Sequence, residues 1–109
     1  MDFYQNFERI KSICEKKDAS SFRGKRVVYE FVLTGEGGGT FYVEIDNGIA
    51  NIQPYDYHDN TCSMTISVSD FYALLENRLD PVMAYTLGKL KIRGDIGAAL
   101  LLKNLFAGR

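Results

Sequence analysis

The sequence predicts an α+β domain in which helices pack on one face of a five-stranded, mostly antiparallel sheet. Three observations lead there. Apolar residues recur at helical spacing near both ends of the chain and at a period of two through its middle. Turn and capping signals, Asp46-Asn47-Gly48 above all, separate these segments. The resulting order is helix, four strands, two helices, strand, helix, which asks for one sheet layer against one helical layer. With 109 residues, 46% hydrophobic and 25% charged, the chain reads as a single domain, residues 1–109, of ordinary globular balance.

Each element has its own warrant. Asp2 is placed to cap an N-terminal helix within residues 1–17, whose apolar positions Phe3, Phe7, Ile10, Ile13 and Cys14 share a face. Ser20 to Lys25 is a connector. From Val27 the period becomes two, and Val27, Tyr29, Phe31 and Leu33 fall on one side of a strand. The run Gly35 to Gly39 is followed by a strand rather than a helix and lacks Gly-Lys-Ser/Thr, so it is a hairpin loop and not a phosphate cradle. Phe41, Val43 and Ile45 mark the next strand, and Asn47-Gly48 supplies the positive φ angles of a tight turn into Ile49 to Gln53. After the polar loop Pro54 to Thr61, Cys62, Met64, Ile66 and Val68 alternate with Ser63, Thr65 and Ser67 in a half-buried strand. Ser69 then caps a helix through about Asn77, and Asp80-Pro81 starts a short one ended by Gly88. Lys89 to Arg93 alternates as a strand, and Asp95 caps a final helix, Ile96 to Phe106.

Charge and targeting exclude several classes. Thirteen Lys and Arg against fourteen Asp and Glu give net −1, so there is no bulk electrostatic case for nucleic acid. The distribution is uneven: residues 1–26 carry +3, 27–80 carry −8 and 81–109 carry +4. If the basic ends converge, they would steer the domain onto an anionic membrane surface or a CoA phosphate. The purely apolar runs, Ala98 to Leu102 among them, are far below the roughly 20 residues of a membrane span. No basic flank leads into an apolar segment at the N-terminus. Cys14 and Cys62 fit neither a CxxC pair nor a zinc spacing and read as reduced thiols in apolar segments. The expectation is a cytoplasmic protein.

The chemistry of catalysis is not visible. His58 is the only histidine, in a loop beside Asp56 and Asp59, without the further ligands or nucleophile that a metal or acid–base role needs. Asp46, Asp70, Asp80 and Asp95 are accounted for by turns and caps. No cofactor motif appears, so the chain is read as no enzyme. The final helix, by contrast, is apolar around most of its circumference through Ile96, Ala98, Ala99, Leu100, Leu101, Leu102, Leu105 and Phe106. A helix against a core needs an apolar stripe of only somewhat over ~100°. The surplus faces the N-terminal helix, a ligand cavity, a partner subunit or a membrane; composition leaves these open.

Ser69-Asp70-Phe71-Tyr72-Ala73-Leu74-Leu75, Leu79-Asp80-Pro81, Ala84-Tyr85, the run Gly88 to Asp95 and the leucine-rich final helix resemble the sterol carrier protein type two lipid-binding domain. The hairpin at Asp46-Asn47-Gly48 and the strand Cys62 to Val68 fit the same family, and the resemblance covers residues 20–106. It implies a sandwich of a five-stranded sheet and helices around an apolar tunnel, and non-covalent binding of a fatty acid, fatty acyl-CoA, sterol or phospholipid for intracellular transfer or sequestration. Carried onto this chain, Phe31, Phe41, Val43, Ile52, Met64 and Ile66 would line the tunnel from the strands. Leu74, Leu75, Met83, Tyr85, Ala99 and Leu102 would line it from the helices. The period-two phases put the same strand residues on the apolar face. The ending Ala107-Gly108-Arg109 lacks the peroxisomal tripeptide, which points to a stand-alone prokaryotic member. Leu101, at a position where members commonly carry a polar residue, suggests a homodimer through the C-terminal helix or an exposed lipid entrance. Two other readings stay open: a dimerising interaction module with a closed core, and a small cavity enzyme on acyl-CoA or steroid-like substrates using Tyr29 or Tyr85.

Overall fold

A computed structural model describes residues 2–107. Five strands form one sheet in the order β3-β2-β1-β4-β5. They span Arg26–Thr34 (β1), Gly39–Asp46 (β2), Ile49–Gln53 (β3), Cys62–Ser67 (β4) and Lys91–Gly94 (β5). Three neighbouring pairs are antiparallel and the central β1–β4 pair is parallel. The helices are Phe3–Glu15 (α1), Val68–Leu75 (α2), Pro81–Thr86 (α3), Ile96–Leu100 (α4) and Leu102–Ala107 (α5), with a short 3₁₀ helix at Ser20–Phe22. The mostly antiparallel sheet with helices is therefore present. Of the C-terminal residues Ala107-Gly108-Arg109, Gly108 and Arg109 lie outside the described ones.

The alternating residues of the strands become the floor of the core. Val27, Tyr29, Phe31 and Leu33 of β1, Phe41, Val43 and Ile45 of β2, Ile52 of β3 and Cys62, Met64 and Ile66 of β4 are all buried. The helices close over them with Phe7, Ile10 and Cys14 of α1, Phe71, Leu74 and Leu75 of α2, Ala84 of α3, Ala98 and Ala99 of α4, and Leu102, Leu105 and Phe106 of α5. Both cysteines are free and buried. The opposite face of the sheet is partly covered too. Glu30 there accepts hydrogen bonds from the Tyr57 amide (2.9 Å) and the Ser63 hydroxyl (2.8 Å), and the Tyr57 ring meets Tyr42 edge-on at 5.0 Å. These contacts pin the loop 54–61 and leave His58 pointing to solvent, 97% exposed and 3.7 Å from Asp56.

Local sequence chemistry explains most boundaries. Asp2 caps α1 in a reciprocal capping box with Gln5. Asp80 accepts from the Met83 amide and Asp95 from the Ala98 amide, both at 3.0 Å, so both are caps as expected. Several boundaries differ from the sequence reading: β5 is Lys91–Gly94 instead of Lys89 to Arg93, α2 ends at Leu75 instead of about Asn77, and two further differences have a visible cause. Ser67 rather than Ser69 caps α2, accepting from the Asp70 amide, and Val68 opens the helix instead of ending β4. The final helix is not continuous: it breaks at Leu101. There the Leu101 amide reaches Ala98 O (3.1 Å) and the Asn104 amide reaches Leu101 O (3.0 Å). Both are i→i+3 bonds of a tightened 3₁₀ turn. Close approach also dictates some residue choices. A Cβ on Gly39 would sit 2.6 Å from the Phe3 ring, so glycine there lets α1 lie on the start of β2.

Candidate functional site

The core between sheet and helices is unevenly filled. At one end five aromatic rings interlock. Phe31 stacks on Phe41 at 5.1 Å, Phe71 meets both edge-on at 5.0 and 5.7 Å, and Phe7 and Phe106 close the sides at 5.8 and 6.1 Å. Such tilted and offset pairs add to the burial energy of the rings. Two polar groups lock the same end: buried Asn6 donates to Gly37 O (3.1 Å) and accepts from the Tyr72 hydroxyl (3.0 Å).

At the β3 edge the side chains shrink. Along α1, Phe7 gives way to Cys14; along β2, Phe41 gives way to Val43. Here a cavity of about 290 Å³ opens, lined by Cys14, Ala19, Val43, Ala50, Ile52 and Leu105, with the charged Glu15 and Lys17 at its rim. Lys17, Ala19 and Gly48 also border a shallower polar depression reaching Asp18, Arg23 and Ile49. The cavity therefore has an apolar floor and a charged mouth that opens outward. Burial pushes the Cys14 thiol up to about 12, outweighing the opposite pull of the nearby Lys17 ammonium. Cys14 is thus neutral at pH 7 and acts as a small apolar wall.

Of the twelve residues expected to line a tunnel, ten (Phe31, Phe41, Val43, Ile52, Met64, Ile66, Leu74, Leu75, Ala99 and Leu102) belong to one buried cluster. Met83 and Tyr85 do not: they are 53% and 44% exposed on the outer side of α3. The continuous apolar tunnel implied by the resemblance is not seen, because the aromatic end is packed shut. Val43 and Ile52 alone among the twelve border the cavity. Sequence reasoning missed Cys14, Ala19, Ala50 and Leu105. Their signal was small or aliphatic side chains beside larger ones on the same face, visible only once α1, β2, β3 and α5 are known to meet.

The enzyme candidates fare differently. Tyr29 is fully buried, its hydroxyl donates to Ala98 O, and burial raises its pKa. The hydroxyl is engaged in tying α4 to the sheet. Among the described residues, no three His, Cys, Asp or Glu gather as a metal site, and no helix is long and apolar enough to cross a membrane.

The comparisons with known proteins agree with this architecture. Hydroxysteroid dehydrogenase-like protein 2 of Xenopus tropicalis is 32% identical over 104 residues, covering 93% of this chain and 24% of its own. Sterol carrier protein 2 of Homo sapiens is 32% identical over 102 residues, 91% of this chain and 19% of its own. The chain thus spans a quarter or less of these relatives. Among solved structures, palmitated SCP2L2 of Aedes aegypti superposes with a TM-score of 0.70 at 20% identity, over 97% of this chain and 95% of that one. That likeness shows the shared fold. The family model described as the SCP-2 sterol transfer family matches residues 7–107, and the chain belongs to that family.

Proposed function

We propose that this domain binds a lipid with a long apolar chain (a fatty acid, fatty acyl-CoA, sterol-like molecule or phospholipid) without covalent chemistry, and transfers or sequesters it. The observation that carries the reading is the cavity at the β3 edge, whose apolar floor is continuous with the core. Family membership and the palmitated neighbour support it. Each methylene taken out of water contributes roughly 0.8 kcal/mol, and ordering the chain offsets part of that. The cavity is at the lower edge of the roughly 300–1,000 Å³ of small-molecule pockets. A long chain entering past Val43 and Ile52 would spread Met64, Ile66, Leu74, Leu75, Ala99 and Leu102 apart. Phe31 and Phe41 would stop it at the aromatic end.

Delipidated protein is expected to bind cis-parinaric acid, a fluorescent fatty acid, with micromolar affinity or better, and lipid should co-purify and be seen by mass spectrometry. Absence of both would overturn the proposal. The lipid reading carries no enzymatic activity, a cytoplasmic location, and an anionic membrane as the surface from which the ligand is drawn. A second reading, the dimerising module, is favoured by one observation: Ile96 and Leu100 on α4 are 47% and 50% exposed. Sedimentation velocity separates the two, since a concentration-dependent dimer abolished by Leu100→Glu would support the second.

A further inference from the structure

Lys17 makes a contact that neither the cavity nor the core requires. Its ammonium donates to Leu75 O, the last carbonyl of α2, and to Phe106 O near the end of α5, both at 2.9 Å. One side chain thus ties the C-terminal ends of two helices, 58 and 89 residues away in sequence, to the end of α1. Carbonyls there lack intrahelical partners and carry partial negative charge, so a cation suits both. The same lysine stands at the rim of the cavity, and Leu105 of α5 forms part of its wall. At its other end α5 begins at the Leu101 3₁₀ turn, where the four-residue hydrogen-bonding of the helix is interrupted. Tightened turns of this kind inside a helix often mark hinges. α5 is therefore a six-residue segment with a tightened turn at one end, one lysine hydrogen bond tying it to α1 and α2 at the other, and the cavity against its Leu105.

We propose that Lys17 is a positioning residue that holds α5 against the cavity, and that the mouth widens to admit a long chain when this latch opens and α5 swings about Leu101. The inference rests on the lipid-binding reading for its purpose but not for its mechanics. A cavity of about 290 Å³ must widen for a long chain, and α5 is the wall that can give without breaking the sheet. If ligand binds only the open state, its apparent affinity is reduced by the fraction of molecules that are open. Weakening the latch then speeds binding and tightens it, the reverse of what loss of a merely structural contact does.

The test compares the parent chain with Lys17→Met, which keeps the aliphatic stem but has no donors, and Lys17→Arg, which keeps donors. Hydrogen exchange is measured first, with no lipid added. In Lys17→Met the α5 amides should lose protection by roughly tenfold, the scale of one charge-assisted hydrogen bond. β1 and β2 should be unchanged, and Lys17→Arg should restore most of the protection. Stopped-flow binding of cis-parinaric acid should then show a faster association rate and a lower Kd in Lys17→Met. Unaltered α5 protection, loss spread equally over the sheet, or α5 already unprotected in the parent would overturn the latch. Loosened α5 with slower or weaker binding would overturn its role in access. Loosened α5 with no parinaric binding in any of the three proteins would leave the latch standing and sink the lipid reading instead.

Discussion

The two ends of the core are built by the same elements from different side chains. Strand β2 contributes Phe41 to one end and Val43 to the other; α1 contributes Phe7 and Cys14; α5 contributes Phe106 and Leu105. At the aromatic end five rings fill the space between sheet and helices. At the β3 end the residues of the same elements are smaller, and a cavity remains. Interiors ordinarily pack to the density of organic crystals, with few voids larger than a water molecule. The cavity of about 290 Å³ opens to solvent at a charged mouth, so it is a recess at the edge of this packed interior. Rings hold the fold at one end, and small side chains leave room at the other.

Breaking the aromatic end should have the largest effect. Phe71 touches Phe31, Phe41 and Phe106, so Phe71→Ala should cost about 3–5 kcal/mol in urea unfolding. The polar lock comes next. Asn6→Leu leaves the Gly37 carbonyl and the Tyr72 hydroxyl without their partner, and about 1–3 kcal/mol should be lost. Both changes should reduce binding only in proportion to unfolding, because neither residue lines the cavity.

A pH scan probes the two buried thiols, one of which, Cys14, lines the cavity. Burial raises the Cys14 thiol to about 12 and the Cys62 thiol to about 11. A group whose folded pKa lies above its unfolded one stabilises the fold fully below the unfolded value. Stability should therefore be flat near neutrality and fall as pH rises from about 9 toward 11 and 12. Cys14→Ser should leave the neutral region close to the parent and flatten part of that alkaline decline. An alkaline limb identical in parent and variant would contradict the assignment.

The smallest effect on stability should come with a large effect on binding. Ala50 is exposed on edge strand β3 at the cavity mouth, so Ala50→Trp should shift stability by no more than about 0.5 kcal/mol. By plugging the mouth it should weaken fatty-acid binding at least tenfold in a fluorescence titration. Normal binding would place the entrance elsewhere.

The legible parts of this contrast were those fixed by local pattern. Period-two phasing placed Phe31, Phe41, Val43, Met64 and Ile66 on the buried side, since alternation leaves a strand with one apolar face only one choice. The caps at Asp2, Asp80 and Asp95 follow from short side chains that reach the next turn's amides. The parts that were not legible depend on distant partners. Ser67 and Ser69 are equally good caps, and Val68 continues the strand alternation, so the backbone turn between them decides. Leu101 breaks a run of good helix formers without glycine or proline, where Tyr29 anchors Ala98 on one side and Lys17 anchors Phe106 on the other. The exposure of Met83 and Tyr85 follows from Ala84 being the residue that α3 buries, which a six-residue helix with mixed apolar positions does not announce. The cavity itself is a relation among four elements and has no signature in any one of them.

Entry of lipid at the β3 end, with the aromatic end staying packed, is the proposal on which the rest depends. It is tested most directly by titrating isotope-labelled, delipidated protein with palmitate and following methyl and amide chemical shifts. Saturable shifts are expected at Val43, Ala50, Ile52 and Leu105, with the Phe7 and Phe71 surroundings moving least. No saturable shift, or shifts confined to the exposed residues of α3 and α4, would contradict it.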